Sequence, residues 1–225
     1  MSKSKNSTQD YYPEKDVIDF FYMLKQYNIT YLLIKNINNE LPNNLQYNKD
    51  IDILVHPKDY NRYKYVMLSN DYKNLKHPYG IENGWMFLYA LEVPTIFQNI
   101  KNGLLIDACS TLCTKSLNMN AWIPLDKEIQ ESIWKDKILN KNQLWYEMDK
   151  ANLAVYLVTR AIFEKNFFSD MYKMEIKKIK SLYYEDYVVN KFEKIFFKFT
   201  PKLIYLLKNE EYDDILKEYI SFAEY

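Results

Sequence analysis

Glycine is scarce in this chain: there are three in 225 residues, at Gly80, Gly84 and Gly103. Turns must therefore fall to Asn, Asp and Pro. Cysteine is equally sparse. Cys109 and Cys113 are the only two, which rules out a disulfide framework. With only His56 and His77 beside them, and no clustering, a structural zinc site is excluded as well. Net charge is also missing, since 30 Lys+Arg balance 30 Asp+Glu and a division near Asp126 leaves each half close to neutral. Such a chain has no overall field to draw in nucleic acid or an anionic membrane. Arginine is confined to Arg62 and Arg160. No run reaches the ~18–20 apolar residues of a membrane span. The opening Met1–Asp10 is polar and lacks an apolar signal core. The reading is a soluble cytoplasmic protein without membrane insertion.

What the chain does carry is Lys49-Asp50-Ile51-Asp52-Ile53-Leu54-Val55, two carboxylates one residue apart in a β-branched apolar run. In a strand, alternate side chains share a face, so Asp50 and Asp52 point one way while Ile51 and Ile53 point into packing. Two adjacent carboxylates repel each other and cost desolvation unless a cation lies between them. Aspartate is moreover depleted from strands. A third carboxylate closes another strand-like run, Leu104-Leu105-Ile106-Asp107-Ala108-Cys109. Three aspartates on two neighbouring strands form an oxygen-ligand set for Mg²⁺ or Mn²⁺. The plainer alternative, Asp50 as a turn residue at a strand start, accounts for one acid but not for three.

Around this motif the pattern is mixed. Residues 1–12 read as a disordered start. Pro13-Glu14-Lys15-Asp16 suits a helix N-terminus, and Val17, Phe20, Phe21 and Leu24 recur at helical spacing to about Tyr27. A strand over Thr30–Lys35, an Asn-rich loop to Asn48 and the Asp-x-Asp strand follow. The next helix starts at Pro57 with Tyr60, Tyr63, Val66 and Met67 as its stripe. Tyr72–Lys76, Trp85–Leu91 and Leu104–Cys109 are the remaining strand candidates. From Pro124 the pattern turns helical, with Asp126–Lys137, a long helix capped by Asp149, and segments near Ser169–Tyr184, Glu185–Phe199 and Glu210–Ala223. The expected fold is α+β: a mixed-sheet core over 13–122 and a helical domain over 123–225.

Tyr31-Leu32-Leu33-Ile34-Lys35, then Asp50-Ile51-Asp52, then Leu105-Ile106-Asp107 resembles the nucleotidyltransferase superfamily of DNA polymerase β. The likeness is greatest to small bacterial members encoded among surface-polysaccharide genes, and it covers roughly residues 16–110. It implies that Asp50, Asp52 and Asp107 bind Mg²⁺ and are catalytic. It also implies that the stretch after the first strand, Lys35, Asn36 and Asn38, together with Lys49, meets the phosphates of a nucleoside triphosphate donor. Members usually carry Gly-Gly or Gly-Ser at that turn; here Lys35-Asn36-Ile37-Asn38-Asn39 has none, and Asn36 or Asn38 must supply the left-handed backbone instead.

The implied activity transfers a nucleotidyl or phosphoryl group to a small molecule or sugar, with no nucleic acid as partner, because polymer substrates demand a basic track. Two other readings stay open: a protein-modifying transferase of the toxin–antitoxin kind, and a scaffold that keeps the fold with an impaired donor site. Among further residues, Arg160 sits in an apolar helix and calls for a partner, with Glu164 one turn on. His56 before Pro57 reads as a turn residue. Cys109 and Cys113 read as packing, and Trp122, Trp134 and Trp145 as a group around the domain junction.

Overall fold

A computed structural model describes residues 11–90, 92–117 and 119–223. The fold is α+β, built on a mixed sheet with helices appended behind it. Helix α1 (Glu14–Gln26) starts directly after Pro13 and buries Val17, Phe20, Phe21 and Leu24, the expected stripe. Strand β1 (Tyr31–Leu33) pairs antiparallel with β2 (Asp50–Val55). A short helical turn then leads into α2 (Tyr60–Ser69), which buries Tyr60, Tyr63, Val66 and Met67. Strands β3 (Tyr72–Leu75), β4 (Met86–Phe87), β5 (Thr95–Asn99) and β6 (Leu105–Cys109) follow, then β7 (Cys113–Lys115) and β8 (Ala121–Pro124).

After α3 (Lys127–Lys135) come two short strands, β9 (Ile138–Leu139) and β10 (Tyr146–Glu147). The large sheet has the order β3-β5-β6-β2-β1-β10-β9, and β4-β8-β7 form a small second sheet. The sheet thus extends past residue 122, and the helical part begins at α4 (Lys150–Arg160). That corrects the expected boundary at 122–123. Two-residue strands carry no alternation for a sequence pattern to show, and Trp145 between them belongs to the core around α1, where it packs on Phe21 with ring centroids 4.7 Å apart. Asp149 caps α4 as expected, its carboxylate accepting from the N–H groups of Ala151 and Asn152.

Alternation divides the apolar side chains between the two faces of the sheet. Tyr31, Leu33, Ile51, Ile53, Val55, Ile106 and Ala108 join α1 and α2 in one core. Leu32, Ile34 and Leu54 face the other way, onto Ile129 and Ile133 of α3 and onto Leu153 and Tyr156 of α4. A third core ties α4 to the remaining helices, α5 (Asp170–Lys178), α6 (Asp186–Phe196), α7 (Thr200–Asn209) and α8 (Tyr212–Ser221). Each fully buried Leu, Ile, Val or Phe contributes about 1.5–3 kcal/mol, so these cores fix α4 against the sheet face that bears the even-numbered residues of β2.

Three expectations need amending. The span Trp85–Leu91 contributes only Met86–Phe87, in the small sheet, and Leu91 lies outside the described residues. Thr95–Asn99, absent from the expected strands, is a strand between β3 and β6. Of the start expected to be disordered, residues 1–10 lie outside the described ones. Tyr12 is buried, its N–H bonded to the Leu45 carbonyl and its hydroxyl to that of Gly103. No helix among the described residues is long and apolar enough to cross a membrane.

Candidate functional site

Strands β2 and β6 run parallel, in a register that sets Asp52 opposite Asp107 and Asp50 opposite Leu105. Because Ile51, Ile53 and Ile106 take the opposite face, all three acids share the face turned toward α4. One carboxylate oxygen from each of Asp50, Asp52 and Asp107 can be chosen so that all lie within 4.8 Å of one another. Ligand oxygens around Mg²⁺ at 2.0–2.1 Å stand about 3–4 Å apart, so small side-chain rotations bring this set onto a hard cation. The donors are all carboxylate, the chemistry that suits Mg²⁺ or Mn²⁺ over softer metals.

The acids differ in their surroundings. Lys35, two residues past the end of β1, forms an ion pair and hydrogen bond with Asp52. Burial alone would raise the Asp52 carboxyl, but Lys35, then Arg160 and Lys165, outweigh it and hold the group below its ordinary range. Asp50 goes the other way. Desolvation in the cleft, then the charges of Asp52 and Asp107, push it up. His77 Nε2 lies 3.8 Å from Asp107 Oδ1, with its ring largely buried.

Two cavities meet at Asp52. The larger, of about 520 Å³, is lined by Lys35, Asn36, Lys49, Asp50, Arg160 and Lys165 on its polar side, with Phe167 and Tyr172 among its apolar walls. The smaller, of about 110 Å³, holds Asp52, Asp107 and His77 against the rings of Tyr79, Phe87 and Trp122. Arg160 belongs to both. Its Nε pairs with Glu164 Oε2 at 2.7 Å, the partner expected from the sequence, and its Nη1 donates to the Tyr156 hydroxyl. Between Arg160 and Glu164 the helix widens into a π-turn over Ala161–Lys165, a feature frequent at functional sites.

Most of the residues picked from sequence gather here. Lys35, Asn36 and Lys49 line the larger cavity, Lys49 with its ammonium 2.6 Å from Glu40. Asn38 lines neither cavity. It takes the left-handed backbone instead, with φ 58° and Asn39 beside it at 52°, so asparagine serves where glycine is expected. Asn36 accepts from the Leu41 N–H, tying the turn together. His56 is a turn residue, its Nδ1 accepting from the Lys58 N–H. Cys109 and Cys113 are free thiols in the wall of the smaller cavity, and burial pushes Cys113 up to about 12, so both are packing groups.

The three tryptophans do not group. Trp122 lies near Phe87, Trp134 against His56, and Trp145 on Phe21. Sequence reasoning passed over His77, Tyr79, Phe87 and Lys165. None has a motif around it, and only the packing of β4 and α4 beside the acids brings them in.

No model of a known protein family matches this chain, and no curated protein does.

Proposed function

We propose that this chain is a Mg²⁺- or Mn²⁺-dependent nucleotidyltransferase, passing a nucleotidyl or phosphoryl group from a nucleoside triphosphate to a small-molecule or sugar acceptor in the cytoplasm. One observation carries the reading: three carboxylates, two of them facing each other across parallel strands, stand where a cation-lined cavity meets a ring-lined one. Polyanionic phosphates suit the first, with Lys35, Lys49, Lys165 and Arg160 on its wall. Asp50 and Asp52 would hold the metal, which when bound neutralises charge on the reacting phosphate. For nucleotidyl transfer, an acceptor hydroxyl in the smaller cavity attacks the α-phosphorus while the bond to the β-phosphate oxygen breaks and pyrophosphate leaves. Asp107 takes the hydroxyl proton, with His77 keeping its carboxylate turned inward. Two reduced thiols fit a cytoplasmic setting.

The competing scaffold reading has one observation behind it. Lys35 already neutralises Asp52, as it would in a fold that no longer recruits a cation. A thermal-shift panel of ATP, CTP, GTP and UTP, each with and without Mg²⁺, separates the two. A ligand at a hundred times its dissociation constant adds about 2.7 kcal/mol. A Mg²⁺-dependent shift with one nucleotide, lost in Asp52→Ala, supports the enzyme. Stabilisation equal with and without Mg²⁺, or silence throughout, supports the scaffold.

A further inference from the structure

We infer that the smaller cavity is an acceptor subsite for a neutral, polyhydroxylated six-membered ring of about monosaccharide size, gripped by Tyr79, Phe87 and Trp122. This rests on the transferase reading for its role, though not for the binding itself. The wall is built by register. Strand β4 pairs parallel with β8 so that Phe87 stands beside Trp122, and their ring planes lie within 8° of each other at 6.1 Å. Tyr79, on the turn after His77-Pro78, tilts against Trp122 at 5.1 Å. His77 joins this wall to the acids, with its ring 5.7 Å from Tyr79 and its Nε2 3.8 Å from Asp107.

Two features select the ligand. The first is an orphaned donor. Trp122 is 8% exposed, and its buried indole N–H has no hydrogen-bond partner among the described residues. A buried donor left unpaired is costly, and because Trp122 lines the cavity, a small shift of the wall on binding would let a ligand oxygen satisfy it. The second is charge. Asp52 is matched by Lys35, and Arg160 by Glu164, which also meets Lys165 at 3.2 Å. Asp107, beside His77, belongs to the metal set. Asp107 is thus the one carboxylate in the cavity without a Lys or Arg partner, which disfavours an anionic acceptor and leaves an oxygen to accept from a hydroxyl. Flat aromatic faces with one free N–H and a carboxylate opposite fit a ring that shows C–H faces to the walls and hydroxyls at its edge. A cavity of about 110 Å³ takes one such ring and not a chain of them.

The test is saturation-transfer NMR on the full chain, with methyl glycosides of glucose, galactose, mannose and N-acetylglucosamine, myo-inositol, and choline as the cationic contrast. At least one neutral ring should bind in preference to choline. Trp122→Phe keeps the ring and removes the N–H, and should weaken that binding roughly three- to tenfold. Phe87→Ala should weaken it about tenfold. Both variants should leave the Mg²⁺–nucleotide thermal shift unchanged. Choline binding over every neutral ring, no transfer to any neutral ring, or equal affinity in parent and Trp122→Phe would each overturn the subsite. If rings bind at Trp122 but no nucleotide shifts the parent, the subsite stands and the transferase reading falls. Nucleotide shifts without ring binding give the reverse.

Discussion

Lys35 and Asp52 are joined in an ion pair at the point where the two cavities meet, each side chain about one-fifth exposed or less. The lysine therefore has two roles that pull in opposite directions. It occupies a carboxylate that the proposed metal would need, and it presents positive charge to the cavity proposed for the phosphates. Lys35→Ala should cost about 1–2 kcal/mol without metal, because Asp50, Asp52 and Asp107 are then left as uncompensated like charges. The same variant should bind Mg²⁺ alone more tightly and Mg²⁺–nucleotide more weakly than the parent. Calorimetric titration of each ligand reads the two signs, and movement of both in one direction would contradict this account of the pair.

Asp50 carries the strain of the cluster. Burial and its two acidic neighbours disfavour its charged form. Asp50 is still solvent-exposed, so screening discounts this repulsion, and Asp50→Asn should raise the melting temperature in EDTA by only roughly 1–2 °C. Mg²⁺ should stabilise the parent and not the variant. Melting curves in EDTA and in Mg²⁺ decide it: identical behaviour of the two proteins in both conditions argues against a cation site.

On the proposed reading His77, with its Nε2 3.8 Å from Asp107 Oδ1, is a positioning residue for that carboxylate. Replacing such an outer partner of a metal-site carboxylate typically costs 10–100-fold in affinity or activity. His77→Gln should accordingly lower turnover by roughly that factor with the nucleotide KM unchanged, once the donor is known. A variant that raised KM and spared kcat would place His77 in substrate binding instead.

How much of this could be read from residues alone depends on how far each signal repeats along the chain. The pair Asp50 and Asp52 was legible because alternation in β2 puts both on one face, and the β2–β6 register then sets Asp107 opposite Asp52 on that face. Helices α1 and α2 were legible from four recurring apolar positions each. Of Asn36 and Asn38, the two candidates for a left-handed residue in this glycine-free turn, Asn38 is the one that takes it. Strand β5 was missed because Thr95-Ile96-Phe97-Gln98-Asn99 is half-exposed on both faces apart from Phe97, leaving no alternation to see. Strands β9 and β10, of two residues each, are shorter than any period. The aromatic wall was invisible for another reason. Tyr79 and Phe87 reach Trp122 only through the β4–β8 pairing, which crosses more than thirty intervening residues.

Asp59 shows what a buried carboxylate looks like when protein donors, and no cation, satisfy it. It lies just before α2, only 8% of its side chain exposed, accepting from the Thr30 N–H at 2.9 Å and pairing with Arg62 at 2.9 Å. Burial would raise this carboxyl, but the Thr30 hydrogen bond and then Arg62 outweigh it and hold it below its ordinary value. A folded-state value below the unfolded one means stability that is present above about pH 3.9 and is lost as pH falls through the folded value. Asp59→Asn should therefore cost about 1–3 kcal/mol at pH 7. The difference from the parent should begin to shrink as pH drops below about 3.9, where the unfolded parent takes up a proton first, and should close only below the lower folded value, where the carboxyl becomes a neutral acceptor like the amide. Urea unfolding of both proteins at pH 7 and at about pH 3 measures this directly, and a gap of constant size would show that the Asp59 charge does not tie α2 to the start of β1.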